Sequence, residues 1–228
     1  MNLIIIALAP VFVIAIYIYI RDKYEREPIR LLLISLVVGC LITIPIALIE
    51  GILAARGQAF EGLASAAWNG FVVAASTEEL FKLLALYLLI WRNRNFNEKF
   101  DGIVYASFIS LGFAGIENVL YVTDGGMSVG ITRAFTAIPA HALFGVIMGY
   151  QFGLARFYPK ERVRRLFLAL LIPILLHGIY DFILMSGHQY LLLAFIPFLI
   201  FLWLFGFRRI RQLSDRSIYR RLKSKQME

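Results

Sequence analysis

Apolar runs of about 20 residues alternate with short polar segments along the chain, and a helical run of that length crosses about 30 Å of hydrocarbon. Seven such runs predict an all-α, polytopic membrane helix bundle with about seven transmembrane helices. We expect one transmembrane domain over residues 1–207, followed by a basic tail over residues 208–228. The runs lie near residues 2–20, 29–55, 65–91, 101–122, 131–155, 164–186 and 190–207.

The basic residues lie on one side of the predicted spans. Of the 23 lysines and arginines, 20 lie in the segments 21–30, 92–99, 156–165 and 208–228. Because basic loops are retained on the cytoplasmic side of a membrane, this pattern predicts an external N-terminus and a cytoplasmic C-terminus. Residues 2–20 lack the basic start and the cleavage site of a signal peptide, so they are predicted to be a retained helix.

The composition agrees with a membrane protein and excludes other classes of protein. Hydrophobic residues make up 60% of the chain and charged residues only 17%, which is too apolar for a soluble domain of 228 residues. The net charge of +8 is explained by the topology signal, so it indicates contact with the lipid bilayer and no nucleic-acid partner. Cys40 is the only cysteine, which excludes a disulfide within the chain.

Four of the predicted spans carry side chains that are costly in hydrocarbon, where an ionisable group costs about 2.5–3.5 kcal/mol. At about 1.5 Å per residue, these groups all lie roughly 8–20 Å from the external boundary. This shared layer predicts one polar site in the outer half of the bilayer. The residues are Glu78, Glu79 and Lys82 in the third span, Glu117 and Asn118 in the fourth, His141 in the fifth, and His177 and Asp181 in the sixth. Glu50, Arg56 and Glu61 lie near a helix end and are not assigned to the site.

Small residues at intervals of four predict that the polar groups face the interior of the bundle, because such stripes let helices approach closely. The stripes are Gly70, Ala74, Glu78 and Lys82 on the third span, and His141, Gly145, Gly149 and Gly153 on the fifth. His177 and Asp181 share one helix face at i and i+4. Pro139 and Pro173 shortly precede the two histidines and predict helix irregularities there.

Each polar group also has a purely structural interpretation. Glu78 and Lys82 can form an intrahelical ion pair, although that would leave Glu79 unpaired. His141 can be a packing histidine with a hydrogen bond, and His177 can simply pair with Asp181. Glu117 and Asn118 can hydrogen-bond a neighbouring helix. The occurrence of all these groups at one depth favours a functional site.

Three functional classes fit the residues. A hydrolase would use a carboxylate to activate water, a histidine to share the proton and further donors to bind an oxyanion. A proton-coupled transporter would use the same groups as a relay, but the sequence has no visible internal repeat. A zinc site would use His141, His177 and a glutamate, although the chain has no H-E-x-x-H motif.

Three motifs together resemble the PrsW family of bacterial multi-pass proteases. They are "EELFK" from Glu78, the lone histidine His141 in a later span, and "HGIYD" from His177 to Asp181. The family is distantly related to the CAAX-protease and bacteriocin-processing superfamily. The chain departs from that wider pattern at Lys82, where the superfamily has an arginine one position later. It also departs at Ala137, where the superfamily has phenylalanine, and at Asp181, where it has asparagine.

The resemblance implies a membrane-embedded, glutamate-dependent peptidase that needs no metal or other cofactor. Its partner would be a single-pass membrane protein similar to an anti-sigma factor, cut first on the extracytoplasmic side during stress signalling. The expected location is the bacterial plasma membrane. A zinc-dependent intramembrane metalloprotease and a proton-coupled transporter remain the alternatives.

The residue types suggest a division of roles. Glu78 shares the small-residue face, so we predict that it is the general base, with Glu79 orienting it and Lys82 balancing charge. His141 would share the nucleophilic water, and His177 would orient the oxyanion region. We therefore predict Glu78, Glu79, His141 and His177 as catalytic residues. Lys82, Asp181, Glu117 and Asn118 are predicted to support them.

Overall fold

The computed structural model describes residues 3–215, and every regular element in that part of the chain is helical. This confirms the predicted all-α class. The α-helices are α1 Leu3–Arg21, α2 Ile29–Leu41, α3 Thr43–Gly57, α4 Gly62–Ala67, α5 Thr77–Ile90, α6 Lys99–Phe135, α7 Ala137–Phe157, α8 Arg162–Met185 and α9 Gln189–Ser214. A π-helix, Trp68–Ser76, joins α4 to α5, and a 3₁₀ turn, Pro159–Glu161, precedes α8.

Five stretches of the described chain are long and apolar enough to cross a membrane, in agreement with a multi-pass membrane protein. They are Leu3–Arg21, Ile29–Gly57, Lys99–Phe157, Pro159–Met185 and Gln189–Ser214. The stretch Lys99–Phe157 contains two of the predicted spans. The predicted span 65–91 is not among the five, and it is divided between α4, the π-helix and α5. The number of seven crossings and the orientation of the termini remain predictions.

The stretch Lys99–Phe157 is folded back on itself. As one straight helix, its 59 residues would be about 88 Å long, far more than the hydrocarbon thickness. Gly102 lies against Gly149, and Ser110 lies against Gly145, so α6 and α7 run antiparallel. Contacts at these glycines are so close that a methyl group at Gly149 would overlap the carbonyl group of Gly102. The predicted glycine stripe is therefore a site of close helix approach.

The end of α6 corrects the predicted loop at residues 123–130. That segment is helical on both sides of Gly126, whose positive φ of 74° turns the chain sharply. Beyond this turn the chain returns along α6, and Gly130 packs against Val122. The polar composition of the segment suggested a loop, but the change of direction requires only the one glycine.

Helix α9 extends beyond the predicted end of the last span. It continues to Ser214, so the first residues of the predicted basic tail are helical. Residues 216–228, which complete the predicted tail, lie outside the described residues. The boundary between a catalytic domain and a tail at residue 207 therefore remains a prediction.

Candidate active site

Two tight helix contacts bring the acidic motif to α8. Gly70 on the π-helix lies so close to α8 that a methyl group there would be 2.9 Å from the Phe182 backbone nitrogen. On the opposite side of the contact, Gly178 packs directly against the ring of Phe71. Because α5 follows the π-helix without a break, Glu78 and Glu79 come to lie against α8 about two turns after Gly70. A π-helix is rare and is often found at a functional site.

Lys82 binds both carboxylates of the adjacent pair. Its Nζ donates to Glu78 Oε2 at 2.9 Å and to Glu79 Oε1 at 2.8 Å. The expectation that an intrahelical pair would leave one acid unpaired is therefore wrong. The ammonium group also lies 4.2 Å from the centroid of the Phe113 ring, which adds a cation–π contact. The three ionisable side chains are almost completely buried, at 4% exposure for Glu78, 0% for Glu79 and 1% for Lys82.

His141 connects this group to α6. Its Nδ1 lies 3.2 Å from Lys82 Nζ, and its Nε2 lies 2.9 Å from Glu117 Oε2. An ammonium group can only donate, so Lys82 donates to an unprotonated Nδ1, and the Nε2–H donates to Glu117. This assignment of the tautomer follows from the two partners. His141 is thus oriented at both ring nitrogens.

His177 is held between two carboxylates. Its Nδ1 lies 3.1 Å from Glu79 Oε1, and its Nε2 lies 3.1 Å from Asp181 Oδ2. Its ring stacks on Phe144 with centroids 4.9 Å apart and contacts the ring of His141 at 5.1 Å. With two carboxylate partners, the ring donates from both nitrogens when it is protonated.

A polar cavity of about 560 Å³ gives access to part of this group. Glu78 lines the cavity, whereas Glu79 lies behind it. The cavity reaches Gly62 at the start of α4 and Ser186 after α8, at the end of the bundle opposite the basic segments. Its other polar walls come from Glu50, Asn69, Glu117, Tyr121, Arg133, His141, His177, Tyr180 and Asp181. A cavity with this many polar groups can hold water.

Two charged residues of the cavity were not predicted from the sequence. Arg133 reaches the site because the chain reverses at Gly126, and its Nη2 donates to Glu117 Oε2 at 2.8 Å. Glu50 on α3 also lines the cavity and has a buried Oε1 without a hydrogen-bond partner among the described residues. Glu50 lies in the middle of α3, so the expectation that it lies near a helix end was wrong. Neither residue carries a local signal, because each depends on how distant helices pack.

Asn118 lies beside the cavity, and its amide has a structural contact. Its Nδ2 donates to the carbonyl oxygen of Ala7 on α1 at 3.0 Å, and its Oδ1 accepts from Arg133 Nε at 2.9 Å. Asn118 therefore ties α1 to the arginine. The other predicted site residues meet in one connected network of hydrogen bonds and ion pairs.

The donor set also fits a metal ion. One ligand atom from each of Glu78, Glu79, His141 and His177 lies within 4.8 Å of the others. Two imidazoles with carboxylates are a ligand set that zinc accepts. Glu79 Oε2 is buried without a hydrogen-bond partner among the described residues, so it has a free coordination position. An ion bound here would compete with the Lys82 ammonium group for three of the four ligands.

The balance of charges in this network also leaves a place for a bound cation. Four carboxylates meet two permanently basic side chains in this network, so protonated histidines, a protonated acid or a bound cation must supply the remaining positive charge. The carboxylates are those of Glu78, Glu79, Glu117 and Asp181, and the basic side chains are Lys82 and Arg133.

Comparison with known proteins agrees with the motifs. The profile of a family described as "PrsW family intramembrane metalloprotease" matches residues 27–206. A "Protease PrsW" from Bacillus subtilis is 39% identical over 212 residues, which cover 90% of this chain and 92% of that protein. Proteins with the same name from Geobacillus kaustophilus and Clostridioides difficile are 37% and 36% identical over 92% and 95% of this chain, and 92% and 93% of their own lengths.

No solved structure matches the chain significantly. The family profile covers more than half of the chain, and the relatives match it over nearly their whole lengths. The predicted resemblance is therefore confirmed. The chain belongs to the PrsW family of intramembrane proteases.

Proposed function

We propose that this protease uses Glu78 as the general base in hydrolysis of a peptide bond. The proposal rests on a difference between the two adjacent glutamates: Glu78 lines the cavity, whereas Glu79 is fully buried behind it. Glu78 therefore has access to water, and Lys82 fixes the position of its carboxylate. Glu79 instead holds His177 and Lys82 in place.

The reaction follows from this arrangement. A water molecule in the cavity transfers a proton to Glu78 as its oxygen forms a bond with the carbonyl carbon of the substrate. The carbonyl electron pair moves to the oxygen and produces a tetrahedral oxyanion. When this intermediate collapses, the carbon–nitrogen bond breaks and the leaving nitrogen takes the proton from Glu78. The products are a carboxyl group and an amine.

The surrounding side chains stabilise the charge that develops. His177 is held at both nitrogens, and when protonated it places positive charge beside the oxyanion without having to reorient. Arg133 provides further N–H groups from another wall of the cavity. His141 links Lys82 to Glu117, and it thereby holds the carboxylates in fixed positions around the water molecule.

We further propose that the substrate is a single-pass membrane protein similar to an anti-sigma factor, cut on the external side. The cavity reaches the bundle end opposite the basic segments, which the topology prediction places outside the cytoplasm. The resemblance to PrsW proteases, which act on such factors, supports the choice of substrate. The cut would fall in an extended juxtamembrane segment, because a helix keeps its peptide groups in internal hydrogen bonds.

A metal-dependent protease is the second candidate. It is favoured by the four ligands within 4.8 Å of one another and by the description of the matching family as metalloproteases. Glu78, Glu79, His141 and His177 would hold the ion. When bound, such an ion supplies a Lewis acid and lowers the pKa of a coordinated water molecule. The remaining residues would keep the roles in orientation and charge balance described above.

A cleavage assay with purified protein in nanodiscs separates the two candidates. The substrate is a single-pass protein with a labelled external juxtamembrane segment, incubated with or without a chelator and with zinc added back. We expect cleavage to resist the chelator and to disappear in Glu78→Gln. Glu161→Gln, a change at a partly exposed acid of the basic end, is the matched control and should cleave normally.

Three results would contradict parts of the proposal. Loss of cleavage with the chelator and its recovery with zinc would establish the metal-dependent candidate. Normal cleavage by Glu78→Gln would show that Glu78 is neither the general base nor an essential metal ligand. The absence of cleavage by the unmodified protein with several such substrates, each at matched expression and insertion, would argue against the proposed substrate class.

A further inference from the structure

A second group of buried carboxylates lies at the other end of the bundle, beside the basic segments. Asp22, Glu25 and Glu27 come from the linker between α1 and α2, and Asp101 comes from the first turn of α6. One carboxylate oxygen from each of Glu25, Glu27 and Asp101 lies within 4.8 Å of the others. None of these residues lines the catalytic cavity. We call this group the linker cluster.

Asn97, just before α6, orients two members of the linker cluster. Its Nδ2 donates to Glu25 Oε1 at 2.9 Å, and its backbone nitrogen donates to Asp101 Oδ2 at 2.9 Å. The Glu98 backbone nitrogen donates to the same Asp101 oxygen at 2.7 Å, which caps the start of α6. Each of these carboxylates is therefore held by one oxygen only.

The carboxylates of Glu27 and Asp22 are also each held at one oxygen. The Tyr105 hydroxyl group donates to Glu27 Oε2, and the Glu27 backbone nitrogen donates to Asp22 Oδ2 at 2.9 Å. All the donors to the linker cluster are neutral amides, backbone groups or a phenol. Within residues 3–215, no lysine or arginine forms an ion pair with any of the four carboxylates.

The second oxygen of every one of these carboxylates is buried and has no hydrogen-bond partner in the described part of the chain. The same is true of the amide oxygen of Asn97, which carries no charge and so is an independent sign of a missing ligand. The atoms are Asp22 Oδ1, Glu25 Oε2, Glu27 Oε1, Asp101 Oδ1 and Asn97 Oδ1. Buried polar atoms are nearly always bonded, so unpartnered oxygens on carboxylates that converge within 4.8 Å, as those of Glu25, Glu27 and Asp101 do, indicate that a ligand belongs there.

The missing partner must be positive. Asp101 is completely buried, and Asp22 and Glu27 are only 1% and 3% exposed. Several carboxylate oxygens are thus concentrated in a place to which water has little access. A cation that binds several of these oxygens at once would compensate their negative charge.

We propose that the linker cluster binds a hard divalent cation, Mg²⁺ or Ca²⁺, which joins the α1–α2 linker to the start of α6. The oxygens available are carboxylates and one amide carbonyl, and these are the ligands that both ions prefer. The cluster contains no histidine or cysteine, so it lacks the ligands that would favour zinc. In this it differs from the proposed catalytic group, where two of the four metal-compatible ligands are imidazoles. By the catalytic group we mean the network of Glu78, Glu79, Lys82, Glu117, Arg133, His141, His177 and Asp181.

Thermal unfolding of the full chain in nanodiscs of neutral lipid tests the proposal. The protein is stripped with a chelator, transferred to chelator-free buffer, and heated with Mg²⁺, with Ca²⁺, or with sodium chloride at the same ionic strength. At a cation concentration ten times Kd, we expect the Tm to rise by about 3–6 °C. The ion that gives the larger rise at equal free concentration is the preferred ligand.

A direct measurement of ion binding by variants tests where the ion binds. Mn²⁺, followed by electron paramagnetic resonance, serves as the probe, and we expect its affinity to fall at least about tenfold in Glu27→Gln and in Glu25→Gln. Glu25 is half-buried, so its variant provides a second test if Glu27→Gln folds poorly. Glu161→Gln on the same end of the bundle should bind like the unmodified protein. His177→Ala should also retain this binding, because it changes only the catalytic group.

Two results would overturn the proposal. One is a Tm of the stripped protein that neither Mg²⁺ nor Ca²⁺ raises above the sodium chloride value. The other is an equal rise in the unmodified protein and in both glutamate variants. Either result would mean that protons shared between facing carboxylates, such as Glu27 and Asp101, supply the missing positive charge.

Discussion

The catalytic group and the linker cluster are both sets of buried carboxylates, and they differ in what compensates their charge. In the catalytic group, Lys82 and Arg133 bind carboxylates directly, and two histidines join them. In the linker cluster, the donors that the structure describes are neutral. A carboxylate that is paired within the chain keeps a fixed position and charge. A carboxylate without such a partner depends on what it binds from solution.

The two proposals assign different functions to similar residues. A general base must be ready before the substrate arrives, so its counter-charge must be part of the protein. A cation site must instead leave oxygen atoms free, each oriented by a donor on the other oxygen. Four variants test the comparison, from the largest expected effect to the smallest.

The Glu78→Gln variant should lower the cleavage rate by about 10³–10⁴-fold, because the amide cannot accept a proton from water. Its stability should change little, since the amide still accepts a hydrogen bond from Lys82. The rate is measured with the nanodisc assay at matched protein levels. A rate within tenfold of the unmodified protein would place the general base elsewhere.

The Lys82→Met variant should lose about 3–5 kcal/mol of stability, because it leaves two buried carboxylates without their shared cation. Measurement is by reversible unfolding in mixed detergent. Addition of Glu79→Gln to this variant should restore part of the loss, since one of the two charges is then removed. If the single variant is as stable as the unmodified protein, the carboxylates do not depend on Lys82.

The Arg133→Gln variant should lower kcat by roughly 10²-fold, which is the typical effect of losing one donor to an oxyanion. Arg133 also binds Glu117, so the Glu117→Gln variant serves as a comparison for loss of the ion pair alone. An equal loss of kcat in the two variants would mean that Arg133 acts through Glu117 and does not contact the substrate.

The Tyr105→Phe variant should cost about 1–2 kcal/mol in chelator-stripped protein, because it removes the hydroxyl group that donates to Glu27. The ring remains, so packing changes little. Thermal unfolding with and without Mg²⁺ measures the effect. A variant as stable as the unmodified protein under both conditions would mean that the hydroxyl group does not orient the cluster.

The sequence correctly predicted the helical class, and it pointed to most of the residues that meet in the candidate active site. Acids and histidines at one depth are costly in hydrocarbon, so their presence in four apolar runs indicated a shared polar site. The spacing of Gly145, Gly149 and Gly153 correctly predicted a close helix contact, because a periodic stripe of small residues depends only on helical geometry. Family motifs then identified the class of protein.

The sequence could not predict the contacts that depend on tertiary packing. Arg133 was not assigned to the site, because nothing local shows that the chain folds back at Gly126. Glu50 lies within an apolar run, and only the packing of α3 brings it to the cavity. The linker cluster was hidden for another reason. Its acids alternate with arginines and a lysine in the segment 21–30, which indicated an ordinary solvated loop.

The π-helix, Trp68–Ser76, sets the rotational phase of everything that follows it. If the same residues were wound with ordinary i→i+4 bonds, the wider turn would no longer absorb an extra residue, and the helix beyond it would rotate by about 100° relative to α4. Glu78 and Glu79 would then face away from His177, although every catalytic residue would still be present. The winding of this segment therefore matters as much as its composition, because a return to ordinary α-helical bonding would misalign the whole acidic motif without replacing any side chain.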